Sequence, residues 1–457
     1  MLEVNGRFDG TPRFMQDQLW NFSLSFSLGW NVARENYWIP LQSVVNQFKL
    51  RGSWGELGNQ NTSNLYPFYE ILPVKSNSGN WLVNGGKTNT ADIPSLVSTL
   101  LTWERVRSFN VGFDFGAFSN RLTGSFDYFV RKTVDMVGPA PQLPLVLGIA
   151  PAIVNNADMK SYGFEIELSW RDRIGEVDYG VKFNLADAQQ KVVKYPNTTN
   201  AFNDWYAGKM SGEIWGYTSL GIAKTDEEMK EHLASLPNGG QNQLGNKWGA
   251  GDIMYADING DGKVDGGKGT LADPGDQRII GNSTPRYNFG LVLDASYKGF
   301  DVSIFFQGVG KRDYAPIVGT NGAVLWGAVN NIWQSMAMEE HFDYFRPEGH
   351  PMGANLNGYY PRPDFTSNKN HQVQTRYLQD ASYIRLKNLQ IGYTLPKQWI
   401  NKLHINRCRV YVSGDNLWTG TSLASMFARE TLAAGDWGSG KTYPLSKVIS
   451  FGLNVNF

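Results

Sequence analysis

The residues best placed to do chemistry lie in one short stretch, Asp257-Ile-Asn259-Gly-Asp261-Gly262-Lys263-Val-Asp265. Oxygen-bearing side chains stand at its first, third, fifth and ninth places, with glycine at the sixth for a sharp turn. This is the spacing of a calcium loop, in which Lys263 at the seventh place offers its backbone carbonyl. The twelfth place holds Lys268 instead of a bidentate glutamate, so Asp273 or Asp276, past a glycine-rich insert, would have to supply the missing carboxylate. Asp257, Asn259, Asp261, Lys263 and Asp265 are therefore candidate ligands of a structural calcium ion that shapes a loop and performs no reaction. The alternative is an Asx-rich turn that closes without an ion.

A second stretch, Gly435-Asp-Trp-Gly-Ser-Gly440-Lys441-Thr442, satisfies the phosphate-loop pattern. That pattern holds phosphate only between a strand and a helix, whose N-terminal amides face the anion. Pro444 and a final strand follow here, so the stretch reads as a glycine-rich loop. His232, His341, His350, His371 and His404 include no pair at metal-ligand spacing. Neither a nucleophile elbow nor a zinc-protease helix motif occurs, and no constellation specifies a reaction. Trp205, Tyr206, Trp215, Trp248, Trp326, Trp333 and Trp437 sit in long loop segments, where rings can stack on sugar faces. For each ring the alternative is packing within the loop or contact with a lid.

The elements that would carry these loops are strands. From Pro285 to Gln307, Tyr287, Phe289, Leu291, Leu293, Ala295 and Tyr297 alternate with polar residues, turn at Lys298-Gly299, and resume as Phe300, Val302, Ile304 and Phe306. Alternate side chains of a strand face opposite ways, so this hairpin is apolar on one face and polar on the other. Its arms run about ten residues, enough for a tilted strand to cross a bilayer. Trp20, Phe22, Leu24, Phe26, Leu28, Trp30 and Val32 form a similar stripe with tryptophan near each end. Further amphipathic runs include Ser108–Phe115 with Leu122–Val130, Phe164–Trp170 with Val177–Leu185, and Ile449–Phe457. A change of phase near Lys387-Asn388 predicts a β-bulge. Thr225 and Glu228 stand at capping-box spacing, which predicts a helix over 225–235.

Composition agrees with a large β structure: 457 residues carry 50 Gly, 15 Trp, 21 Tyr and 25 Phe, with no apolar run long enough for a spanning helix. Forty-two basic and 42 acidic residues cancel, which removes a global electrostatic case for nucleic acid. Cys408 is the sole cysteine, so a disulfide framework is excluded. Met1-Leu-Glu-Val-Asn has neither the basic start nor the apolar core of a secretion signal, which in an exported β protein points to truncation.

Loop lengths separate a barrel from a sandwich. Links near 116, 173, 299 and 400 are short, whereas 56–102, 131–162, 188–284, 308–382 and 417–446 are long. A membrane barrel alternates in this way because one end carries tight turns and the other elaborate outer loops. Parity also assigns Glu213–Ile222 to the loops rather than to a crossing, leaving about twelve crossings.

The blocks Lys49-Leu-Arg-Gly-Ser-Trp-Gly-Glu-Leu-Gly-Asn59, Thr102-Trp-Glu104, Asn120-Arg-Leu-Thr-Gly-Ser-Phe-Asp-Tyr128, Asp257-Ile-Asn-Gly-Asp-Gly262, Ile280-Gly-Asn282, Ser296-Tyr-Lys-Gly-Phe-Asp301, Tyr383-Ile-Arg-Leu-Lys-Asn388 and Val412-Ser-Gly-Asp-Asn-Leu417 complete the picture. In this order, the chain resembles the SusC/RagA family of TonB-dependent transporters across nearly its whole length. The resemblance implies an all-β fold: about twelve antiparallel strands of a transmembrane barrel of about 22, with long extracellular loops. Residues 1–457 would be the C-terminal part, without the N-terminal plug. It also implies the outer membrane of Bacteroidetes-type bacteria, contact with membrane lipid, import of glycan fragments or peptides, a SusD-like surface lipoprotein as lid, and energy from the TonB complex. Such a part, with two open strand edges, is expected not to transport alone. Two other readings stay open: a passive porin-like channel, and a secreted soluble carbohydrate-binding β-sandwich.

Overall fold

The computed structural model describes residues 1–62, 65–138, 144, 146, 148–149, 151–315, 338–364, 369–401, 404–427, 432 and 445–457. Twelve long strands join in one sheet whose order follows the chain: Leu2–Gly10, Trp20–Asn31, Val45–Asn59, Glu104–Ala117, Leu122–Val137, Asn155–Ile174, Val177–Lys194, Arg286–Tyr297, Phe300–Lys311, Tyr383–Thr394, Arg407–Thr421 and Val448–Asn456. Chain order with antiparallel neighbours is the topology of an up-and-down meander. Among the described residues, no helix is long and apolar enough to cross a membrane. Several strands outrun the sequence expectation, Asn155–Ile174 reaching 20 residues, so the long connections are shorter than the polarity pattern suggested.

The chain divides into two compact units, Met1–Asn120 with Ser125–Phe164 and Ala188–Ser211, and Arg121–Gly124 with Glu165–Asp187 and Gly212–Phe457. In the first, lateral pairing sets Leu2 beside Leu28, Gly52 and Val111, and Val4 beside Phe26, Trp54 and Phe109. The row between them is polar: Glu3, Ser27, Ser53 and Asn110. On this polar face the Arg51 guanidinium takes two oxygens each from Asp114 and Asp127 at 2.8–2.9 Å. It lies beside Gly112, where a Cβ would collide with the Asp127 carboxylate. Val32 leaves the predicted apolar stripe, because the chain enters a 3-10 turn there and the side chain is buried.

In the second unit one apolar row runs Tyr179, Ala295, Val302, Ile391, Val412 and Phe451, and the adjacent polar row runs Gly180, Asp294, Ser303, Gln390, Ser413 and Ser450. Lys298 and Gly299 both take positive φ, 46° and 90°, which matches the right-handed twist of the hairpin they close. The phase change predicted near Lys387-Asn388 is a register shift between Leu386 and Asn388, opposed by one between Phe305 and Phe306. Cys408 is buried.

The two faces settle which kind of β structure this is. Ile391 is 46% and Phe451 84% exposed, and Leu28, Phe26, Phe109 and Val111 are exposed as well. A soluble sandwich would press such rows against a second sheet; among the described residues these rows meet no such layer. The sandwich alternative is thereby corrected: the hydrophobic core lies instead in the connections. Tyr217, Ile253, Tyr255, Val264, Tyr360 and Tyr377 are buried together in the second unit, and Phe14, Leu101 and Trp103 in the first. A sheet whose apolar rows stay exposed while its loops form the packed core is suited to hydrocarbon against that face.

The connections hold the predicted ornaments. Glu213–Gly216 and Ser219–Ile222 are short strands that pair with Arg278–Asn282 and Ile253–Tyr255 rather than crossing. The predicted helix is Asp226–Ala234, and the Thr225 hydroxyl accepts from the Glu228 amide at 3.1 Å. The Glu228 carboxylate in turn accepts from the Lys224 amide, one residue before the cap. Replacing Thr225 by Ala is expected to destabilise this helix by about 1 kcal/mol, seen as faster amide exchange over the first turn; unchanged exchange would remove the cap from the account.

Candidate functional site

The loop at Asp257 is built by its own side chains. The Asp257 carboxylate accepts from the amides of Gly260 at 2.7 Å and Gly262 at 2.8 Å, Asn259 Oδ1 accepts from the Asp261 amide, and Asp261 Oδ1 from that of Lys263. Gly260 and Gly262 take positive φ, as the sharp turn requires. Asp276, fully buried, closes the loop from behind, accepting from the amides of Ile258, Asn259 and Asp265. Burial holds its carboxyl above the usual range, against those three donors. The Lys263 ammonium lies 2.5 Å from Asp265 and 3.8 Å from Asp261. Among the described residues, no three His, Cys, Asp or Glu side chains converge as an ion would require. The five sequence-selected residues thus share one loop, held by amides and by one lysine.

Close by in the chain stands a charge cluster that sequence reading did not select. Asp252, 0% exposed, accepts from five donors: the Gly249 amide at 2.9 Å, Lys369 Nζ at 2.8 Å, Asn370 Nδ2 at 2.9 Å, and Arg362 through Nε at 3.0 Å and Nη2 at 2.8 Å. Lys369 is itself buried, and the Trp248 ring lies 5.1 Å from its ammonium. Gly251 takes a φ of +85° so that the chain can pass under Arg362, where a Cβ would collide with Phe345. Asn370 Oδ1 also receives the Ile253 amide, which ties the cluster to the tyrosine core.

His371, next in sequence, is buried, and burial lowers its pKa to about 4. A base whose folded pKa lies below its unfolded value binds its proton more readily when unfolded. Its contribution is therefore complete above pH 6.5 and fades as pH falls towards 4, by up to about 1.4 kcal/mol per pH unit. The acid midpoint of this loop core is expected to drop in His371→Gln; the same midpoint in both proteins would refute the assignment.

Of the rings weighed as sugar platforms, Trp205, Tyr206, Trp215 and Trp248 are described, and each is partly buried. Trp205 meets Tyr195 edge-on at 6.0 Å, Tyr206 carries the Lys209 ammonium, and Trp248 packs on Tyr255 and the loop core. Trp326, Trp333, Trp437 and the phosphate-loop-like stretch Gly435–Thr442 lie outside the described residues. Exposed aromatics in the long connections include Tyr66, Tyr69, Trp81 and Phe342. His232 contacts Gln241, and the rings of His341 and His350 accept from nearby amides.

The meander with its exposed apolar face suits a membrane barrel, and comparison with known proteins decides the family. The family described as TonB dependent receptor-like, beta-barrel, matches residues 1–417. The chain belongs to this family. Its members are receptors and transporters, not enzymes. The receptor chain is 28% identical over 99% of its length to TonB-dependent receptor P3 of Formosa agariphila, and 22% identical over 86% to TonB-dependent receptor SusC of Bacteroides thetaiotaomicron. It covers 43% and 36% of those relatives, so it spans less than half their length. In fold it is similar to the solved structure of the RagAB peptide transporter, at a TM-score of 0.72 and 20% identity, over 100% of this chain and 46% of that one. The SusC/RagA resemblance read from the sequence blocks is thus supported by both kinds of comparison.

Proposed function

We propose that this chain is the barrel part of a SusC-like receptor that imports glycan oligosaccharides across a Bacteroidetes-type outer membrane. One observation carries the reading: a meander whose lipid-side rows are apolar and uncovered, in a chain matched to the receptor family over residues 1–417. An N-terminal plug, a SusD-like surface lipoprotein and the TonB complex would complete the machine. A passive porin-like channel would need the same strands but not that family. Peptides are the second cargo class, suggested by the likeness in fold to the RagAB peptide transporter.

The test is uptake in the source bacterium. Deleting the gene should abolish accumulation of labelled oligosaccharide, and a protonophore should do the same in the parent strain. Uptake that survives either treatment overturns the reading.

Calcium at Asp257, Asn259, Asp261, the Lys263 carbonyl and Asp265 belongs to the same proposal, as an ion that stiffens an outer loop. Binding must move the Lys263 ammonium off Asp265. Lys263→Ala should therefore tighten calcium binding in calorimetry, and absence of binding heat in both proteins leaves only the turn.

A further inference from the structure

Beside the Asp252 cluster the second unit has an open cleft of about 600 Å³, lined by Asn246, Lys247, Arg362, Asp364 and Lys369 among others. Asp252 grips one edge of the Arg362 guanidinium through Nε and Nη2, and Nη2 also donates to the Lys247 carbonyl at 3.1 Å. The remaining nitrogen, Nη1, has no acceptor among the described residues, and the Arg362 side chain is 40% exposed. Lys247 is exposed and has no ion-pair partner among the described residues. Three cations stand here against two carboxylates, with Asp364 lying 4.0 Å from the Lys369 ammonium.

Burying a charged group on this scale is weak as a source of stability, because desolvation offsets the attraction. It is strong as a means of fixing geometry. A guanidinium clamped on one edge presents its other nitrogen at a set position, with little conformational freedom left to lose on binding. The group that matches a fixed N–H pair beside an ammonium is a carboxylate.

We infer that Arg362 Nη1 and the Lys247 ammonium form a binding site for the free carboxylate of an incoming ligand, with the Asn246 amide at its rim. This deepens the import reading and rests on it for the ligand's origin. Two sources offer that chemistry, a uronic acid unit of an oligosaccharide and the C-terminus of a peptide.

The probes are trigalacturonate against its methyl ester, and trialanine against its C-terminal amide, titrated calorimetrically into the 457-residue chain in detergent. In at least one pair the acid should bind about tenfold tighter than its neutral form, the worth of a charge-assisted hydrogen bond. Arg362→Lys retains a partner for Asp252 but cannot also reach outward, and should erase that preference. Lys247→Gln, at an exposed position outside the buried cluster, should reduce it about threefold, as expected for a partly screened charge, and so tests the site even where Arg362→Lys disturbs the loop core.

Whichever acid prefers the site identifies the source. Equal binding of acid and neutral form, no binding up to about 10 mM, or a preference unchanged in both variants overturns the site. Those outcomes leave energised uptake of neutral oligosaccharide untouched, whereas protonophore-insensitive uptake would sink the import reading with the carboxylate preference intact.

Discussion

Asp252→Ala is expected to unfold the loop core while leaving the strands paired. The substitution strips five donors of their acceptor and leaves the Lys369 ammonium, 1% exposed, with the Asp364 carboxylate at 4.0 Å as its remaining counter-charge among the described residues. Breaking a buried ion pair on one side costs about 3–5 kcal/mol, because the abandoned charge stays desolvated. Ile253 sits directly on this cluster through its amide bond to Asn370, and Tyr255 through its hydroxyl, which donates to the Lys369 carbonyl at 2.7 Å, so their amides should lose exchange protection first. Adding Lys369→Met should recover a clear part of the loss, since it removes the stranded charge and leaves an apolar chain against Trp248. Equal protection in the parent and in Asp252→Ala would show that the core does not depend on the cluster.

The second large effect concerns the sheet. Ile391→Arg places a charge in the middle of the row formed by Ala295, Val302, Val412 and Phe451. On a lipid face near the bilayer midplane this costs about 2–4 kcal/mol. Ser413→Arg, on the opposite face of the same region beside Gln390, should cost far less. Folding into phospholipid vesicles, followed by protease resistance and urea titration, compares the two. If Ser413→Arg were the more damaging, the assignment of faces would be reversed.

Much of this architecture was legible before any coordinates. Strand alternation is strictly local, so Tyr287 to Phe306 announces its hairpin from the sequence alone, and the parity of long and short links excludes Glu213–Ile222 as a crossing. The bulge near Lys387-Asn388 was visible because an extra residue inverts the phase of every side chain after it. The helix at 226–234 was signalled by its cap. The lengths of the strands were less legible, since the same backbone pairing continues past the apolar rows with polar residues on both faces, as at the neighbours Glu104 and Arg105.

The sequence by itself determined the period-2 rows, the turn at Lys298-Gly299 and the Asx turns within the Asp257 loop, because each depends on residues within a few places of one another. Tertiary structure alone decided that the apolar rows stay exposed and that the hydrophobic core sits in the loops. It also decided that Asp252 meets Arg362 and Lys369 across more than a hundred residues. Periodicity tells which side chains share a face but not what lies opposite it, and a contact closed by a long chain leaves no spacing to read.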